Sequence, residues 1–190
     1  MTVDHNARRQ RIAEVTAEVI AREGLEAATI RRISAELGGP TKIITYYFSD
    51  KQELLRFTWE HMARQYYEKV SHGPTNIIDS LLAMTTADEK SILRWRVYVA
   101  FWDRATRDPE FAEIQRSHMD KSLQLIGDIV RILDPTRTDV ERISLLLNAL
   151  VQGISLQSLV DPKRWPAERI RAVLTEQVAI LLPSATPLSP

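Results

Sequence analysis

Between Thr29 and Lys51 the chain gathers side chains that donate hydrogen bonds or carry positive charge: Thr29, Arg31, Arg32, Thr41, Lys42, Thr45, Tyr46, Tyr47 and Lys51. Such groups suit the two kinds of acceptor on a DNA duplex, base edges in the major groove and phosphate oxygens along the strands. Thr41, Lys42, Thr45 and Tyr46 fall at spacings that share one helix face, so they are the expected readers of base edges. Tyr47 is expected to set its phenol on a phosphate. Thr29, Arg31, Arg32 and Lys51 are expected to position the chain on the backbone, helped by amide groups at helix N-termini. Arg8, Arg9 and Arg11 admit two readings, an arm that touches phosphate or a solvated end.

These residues need short helices to present them, and the local pattern supplies two. Apolar Ile12, Val15, Val19 and Ile20 make one stripe of a helix over 8–23, which Gly24 closes. Thr29 is the expected N-cap of a second helix whose inner face is Ile30, Ile33 and Leu37, ended by Gly38-Gly39. Pro40 is expected at the first position of the third, where a missing amide proton costs little. Two helices broken by a glycine turn and restarted are the grammar of a helix-turn-helix, whose second helix enters the major groove. Phe48 is expected to close the core of this unit.

Ser49 with Gln52, or Asp50 with Glu53, can form a capping box for a long helix over 50–71. Beyond Pro74 the pattern stays helical over 76–84, 88–107, 109–133, 138–159 and 167–182. The Asp-Pro pairs at 108, 134 and 161 mark stops. No run alternates long enough for a sheet, so the fold class is all-α, with about nine helices.

The chain has 190 residues and 25 basic side chains against 25 acidic ones, so a nucleic-acid surface must come from local placement and not from net charge. Absence of cysteine excludes disulfides, thiolate metal sites and cysteine nucleophiles. No apolar leader begins the chain, and no later segment is expected to run long enough without charge to span a bilayer, which points to the cytoplasm and no membrane. Nucleophile elbow, phosphate loop, zinc motif and paired carboxylates are all missing. No catalytic residue, metal or cofactor is therefore expected. A helical small-molecule-binding enzyme, or an adaptor that binds only protein, remain the alternatives to a DNA-binding protein.

The order of Gly24-Leu25, Thr29-Ile30, Ile33 with Ala35, Leu37-Gly38, Tyr46-Tyr47-Phe48 and Lys51 resembles the TetR family of transcriptional regulators, and Ile43-Ile44-Thr45-Tyr46-Tyr47-Phe48 resembles its BetI branch. Gly39-Pro40 and Lys42 depart from the family's usual residues at the DNA face, so no operator sequence carries over. The resemblance implies a DNA-binding domain over 1–51 and a fourth helix over 50–71 that links it to an effector-binding and dimerisation domain over 52–182. A flexible tail over 183–190 would follow. It implies a repressor that grips a palindromic double-stranded operator as a homodimer and is released by a small molecule.

Trp95, Tyr98 and Trp102 lie at i, i+3 and i+7, a stripe that is either packed core or, as the resemblance implies, the wall of an effector cavity. Met62 and Tyr66 on the fourth helix would join that wall. Polar anchors are expected from His118, Ser122, Gln152 and Ser155, with Met119 beside them. The BetI likeness suggests a quaternary ammonium held by aromatic faces. The last two helices carry surplus apolar residues, and Ile143, Leu147, Val151, Ile154, Ile170, Val173, Leu174 and Val178 are the expected dimer contacts.

Overall fold

The computed structural model describes residues 2–72 and 76–183. The end of the expected tail, 184–190, lies outside the described residues. Among them there is no strand. Nine helices follow in order: α1 (Thr2–Glu23), α2 (Ile30–Glu36), α3 (Lys42–Tyr47), α4 (Lys51–His72), α5 (Ile77–Met84), α6 (Glu89–Ala105), α7 (Pro109–Leu133), α8 (Val140–Val160) and α9 (Ala167–Leu181).

Local chemistry explains most of these boundaries. Thr29 caps α2 as expected, its hydroxyl oxygen accepting from the Arg32 amide at 3.1 Å. At the other end Gly38 takes φ +69, Gly38 N–H donates to Ala35 O, and Gly39 N–H donates to Ser34 O, both at 3.1 Å. This is a Schellman ending, and its left-handed residue is the reason for a glycine at 38. Pro40 does not open α3. Thr41 stands at the N-cap with helical backbone angles, and Pro40 O accepts from Ile43 N–H at 3.0 Å, which leaves the proline in the turn before the helix. α1 starts six residues earlier than expected from its apolar stripe, because no Gly or Pro interrupts residues 2–7.

Asp50 and Glu53 share the α4 cap with Ser49. Asp50 Oδ1 accepts from Glu53 N–H at 2.8 Å, and Glu53 Oε2 accepts from Ser49 N–H at 2.7 Å. Asn76 caps α5 through Asp79 N–H at 2.9 Å. Asp108 caps α7, its Oδ1 accepting from Glu110 N–H at 3.1 Å while Pro109 takes the first helical position.

The helices form two compact units. One takes the chain to Glu68 together with Arg96–Gln115; the other takes Lys69–Trp95 and the chain from Arg116. In the first, α1, α2 and α3 pack on one another and bury Ile12, Val19, Ile20, Ile33, Ile44 and Phe48 at 2% exposure or less. Each such side chain contributes about 1.5–3 kcal/mol through burial. In the second, α5 packs on α8 and α9, with Leu81, Ile143, Leu147, Ile170 and Leu174 fully buried.

One expectation fails in α8. Residues 143–160 carry no charge, and an 18-residue window of this helix has a mean hydropathy of 1.6, enough by composition to cross a membrane. Its apolar residues instead recur at i, i+4, i+8 and i+11 as Ile143, Leu147, Val151 and Ile154, all buried inside the second unit.

Candidate nucleic-acid interface and effector-side residues

α3 is two-faced. Ile44, followed by Phe48 at the C-cap, is buried beneath it, while Thr41, Lys42, Thr45 and Tyr46 are exposed on the other side. Tyr46 is 73% exposed, far more than an aromatic ring needs for packing. Thr45 Oγ1 donates to Lys42 O at 3.4 Å and so sits close to its own helix. Tyr47 is half-buried. Thr29 is exposed at the start of α2, and Lys51 is half-buried at the start of α4. Arg31 is exposed and, among the described residues, pairs with no carboxylate.

Arg32 is placed differently from the expectation. Its Nε and Nη2 donate to both oxygens of Glu23 at 3.0 and 2.6 Å, and its Nη1 donates to Glu36 at 2.6 Å. Arg22 completes the network with a 2.7 Å bond to Glu36. The hydrogen bond from Arg32 holds the Glu23 carboxyl below its usual range, and Arg32 with Arg22 does the same for Glu36. These carboxylates push the Arg32 guanidinium up in return. A planar fork spent on two carboxylates joins α1 to α2 and has few donors left for phosphate.

Two residues of α1 reach α3 and α4 in ways the sequence did not signal. The His5 ring lies 4.7 Å from the Tyr47 ring and 6.1 Å from that of Tyr46, and the two tyrosines meet edge to face at 4.9 Å. Arg9 lies over Phe48 and Phe57, 4.5 Å from each ring centroid, and pairs with Glu53 at 2.7 Å. This takes Arg9 out of the basic stretch, whereas Arg8 stays exposed and Arg11 pairs with Glu14 at 3.2 Å.

The aromatic stripe of α6 divides between the two units. Tyr98 and Trp102 meet at 5.1 Å in the first unit, where Trp59 of α4 lies 5.4 Å from Tyr98 and stacks on Phe101 at 5.0 Å. Phe101 stacks in turn on Phe111 at 5.8 Å. Trp59 and Phe111 are members that helix periodicity alone could not supply, since they come from other elements. Met62, Tyr66, Tyr98 and Trp102 are half-buried. Burial pushes the Tyr98 phenol above its ordinary value, opposed by the side chain of buried Gln115. Gln115 is not among the expected anchors, since nothing in its spacing marks it.

Trp95 belongs to the second unit, is 6% exposed, and donates its indole N–H to Met84 O at 2.9 Å. It finishes the C-terminus of α5. Neighbouring Arg94 donates to Ala83 O and Thr85 O at 3.1 and 3.2 Å. His118 is buried, and burial, with Lys121 adding to it, pushes its imidazole down to about 4. Met119, Ser122 and Gln152 are half-buried and Ser155 is fully buried. Ser155 belongs to a polar line along the inside of α8 with Ser144, Asn148 and Ser158. Ser158 donates to Ser155 O at 2.9 Å and meets Thr86 through their hydroxyls.

The expected dimer contacts need correction. Ile143, Leu147, Val151, Ile154, Ile170, Leu174 and Val178 are each 2% exposed or less. A partner cannot touch side chains already covered within their own unit; only Val173 is half-open. The apolar surface left on these helices is Leu145, Leu146, Leu156 and Val160 of α8 and Ile180 of α9, between 44% and 82% exposed. Gly153 shares that side of α8, and a Cβ there would meet nothing within 4 Å.

Residues 12–56 match the family described as bacterial regulatory proteins, tetR family, and residues 76–183 match BetI-type transcriptional repressor, C-terminal. The HTH-type transcriptional regulator PksA of Bacillus subtilis is 26% identical over 188 residues, which cover 93% of this chain and 90% of that one. The regulator BetI of Vibrio campbellii is 28% identical over 188 residues and 89% of each chain. A transcriptional regulator from Saccharomonospora viridis, solved in complex with choline, superposes with a TM-score of 0.78 at 21% identity, over 91% of this chain and 95% of that one.

Proposed function

This chain belongs to the TetR family of transcriptional regulators and is not an enzyme, and from that premise we propose that it is a homodimeric repressor released from a palindromic operator by a small-molecule effector. The observation that carries the reading is the two-faced α3: Ile44 anchors it while Thr41, Lys42, Thr45 and Tyr46 stand in solvent. Thr41, Lys42, Thr45 and Tyr46 read base edges; Tyr47, Thr29, Arg31 and Lys51 hold phosphates. Residues 1–51 act as the DNA head and 52–182 as the effector and dimer domain. Two heads sit about 34–36 Å apart, or a small multiple of that, on successive major-groove faces. The protein works in the cytoplasm, beside the DNA it controls.

The effector reading rests on half-buried aromatics, Tyr66, Tyr98 and Trp102, whose ring faces suit a cation. The choline held by the Saccharomonospora regulator makes a quaternary ammonium the first class to test. α4 carries the signal. Its Trp59 stacks on Phe101, and its Arg56 pairs with Glu110 at the start of α7, so the helix that begins at Lys51 is bound to the α6–α7 corner. Effector binding shifts the population toward a head spacing that no longer fits the operator. Dimerisation uses the exposed side of α8 and α9, Leu145, Leu146, Leu156, Val160 and Ile180, with half-open Val173.

The test is a mobility shift with DNA from upstream of the chain's own gene. Wild type binds, Lys42→Ala and Tyr46→Ala lose specific binding with helicity intact, and choline releases the wild-type complex. Retention of that DNA by both variants at fixed salt overturns the assignment of α3; a protein-only adaptor binds none of it.

A further inference from the structure

We propose that His5 is a positioning residue for the DNA-reading tyrosines, so that the first turns of α1 are a working part of the interface. The inference rests on α3 as the DNA-contacting helix and adds a residue from outside the helix-turn-helix. Three rings meet in a triangle: His5 to Tyr47 at 4.7 Å, Tyr46 to Tyr47 at 4.9 Å, and His5 to Tyr46 at 6.1 Å. His5 and Tyr46 are exposed, so the triangle is a surface feature and not part of the core that holds the head together. Among the described residues the ring contacts of Tyr46 are His5 and Tyr47 alone.

A phenol that is 73% exposed samples several rotamers, and fixing it on a base or a phosphate costs side-chain entropy at the moment of binding. Rings that already pack against each other have met that cost before DNA arrives. His5 does this from a separate element: α1 runs without a break from Thr2 to Glu23, and its body is anchored through buried Ile12, Val19 and Ile20. The helical extension over residues 2–7 is what brings the imidazole to the tyrosines.

The role calls for a flat ring and not for a charge. The experiment selects an operator duplex from a random library with wild-type protein, then measures affinity by fluorescence anisotropy for wild type, His5→Ala and His5→Phe across a salt series. His5→Ala weakens binding by about three- to ten-fold, the range that one aromatic contact represents, and His5→Phe restores it to within about two-fold. The salt slope stays the same in all three, because no phosphate contact is lost. Equal affinity of His5→Ala and wild type overturns the role. Failure of His5→Phe to restore binding, with a salt slope smaller by about one, overturns it in favour of a direct phosphate contact by the imidazole. Failure of wild type to enrich any duplex overturns the DNA reading of α3 and this inference with it.

Discussion

Arg9 Nη2 lies 2.7 Å from Glu53 Oε1, and the same glutamate accepts hydrogen bonds from the Ser49 amide and hydroxyl at 2.7 and 3.0 Å through its other oxygen. One carboxylate thus ties the middle of α1 to the first turn of α4, while the Arg9 guanidinium spans Phe48 and Phe57. α3 ends at Tyr47, one residue before Phe48, so its C-terminal end is fixed by the same clasp.

Arg9→Ala is expected to destabilise the protein by about 1–2 kcal/mol, the combined scale of a partly buried cation–π contact and a charge-assisted hydrogen bond. Arg9→Lys recovers only part, since an ammonium cannot lie flat between two rings and still reach Glu53. Urea unfolding of the three proteins at neutral pH measures both; equal midpoints would remove the clasp from the stability of the head.

Two acid windows are expected, and they separate by residue. Burial holds the His118 imidazole down at about 4 against an ordinary 6.5. The unfolded chain therefore binds this proton first, and the contribution of His118 is complete above pH 6.5 and declines toward pH 4. In His118→Gln the slope between those limits becomes smaller than in wild type. Thermal melts at half-unit steps of pH give the difference directly.

The second window belongs to carboxylates whose folded values lie below the ordinary 4.5: Glu53 through the Ser49 amide, Glu23 through Arg32, and Glu36 through Arg32 and Arg22. Groups held down contribute fully above 4.5 and lose that contribution as the pH falls through their folded values. Glu53→Gln is therefore less stable than wild type at pH 7, and the gap narrows as the pH falls below 4.5 through the folded value of Glu53. A gap independent of pH would mean that the carboxylate charge is not what caps α4.

Local signals were legible because they act over a few residues. Thr29, the Gly38-Gly39 ending, the Asp50–Glu53 cap and Asp108-Pro109 each determine a backbone event within four positions, and each is where the sequence placed it. The pairing of Arg32 is not legible locally, because Glu23 lies nine residues away and reaches it only after the turn at Gly24 brings α1 beside α2. The place of His5 is hidden in the sequence for a related reason: its partners are on α3, and residues 2–7 carry no apolar stripe to mark a helix, only the absence of Gly and Pro. The stripe on α8 has the expected period, but Ile143, Leu147, Val151 and Ile154 are covered by the chain itself. Periodicity finds a buried face but does not say whether the chain itself or a second copy covers it.

Gly153 offers a direct test of what covers the opposite face of α8. Within one chain a Cβ at this position meets nothing within 4 Å, and replacing glycine inside a helix favours the helix by about 0.5–1 kcal/mol. Gly153→Leu is therefore expected to keep or raise the stability of the isolated chain while blocking close approach of a second one. Light scattering after size exclusion should show a dimer for wild type and a shift toward monomer for Gly153→Leu and for Leu156→Glu. Leu147→Ala, by contrast, removes a fully buried side chain and lowers stability by about 2–5 kcal/mol without any specific change of oligomeric state. A Gly153→Leu protein that remains dimeric places the partner elsewhere.

The adjacent arginines of α2 separate grip from scaffold. Arg31 is exposed and, among the described residues, forms no ion pair, whereas Arg32 is held by Glu23 and Glu36. Arg31→Ala should weaken binding to specific and mixed-sequence duplexes alike and lower the salt slope by about one, as the loss of one phosphate contact requires. Arg32→Ala should leave the salt slope unchanged and lower the melting temperature instead, because it removes the bonds that join α1 to α2 and leaves Arg22 to offset the Glu23 and Glu36 carboxylates. Anisotropy titrations between 50 and 200 mM salt cover a range in which each phosphate contact is resolved. The assignment fails if Arg32→Ala, and not Arg31→Ala, changes the slope, since the network would then have to open for Arg32 to reach the DNA.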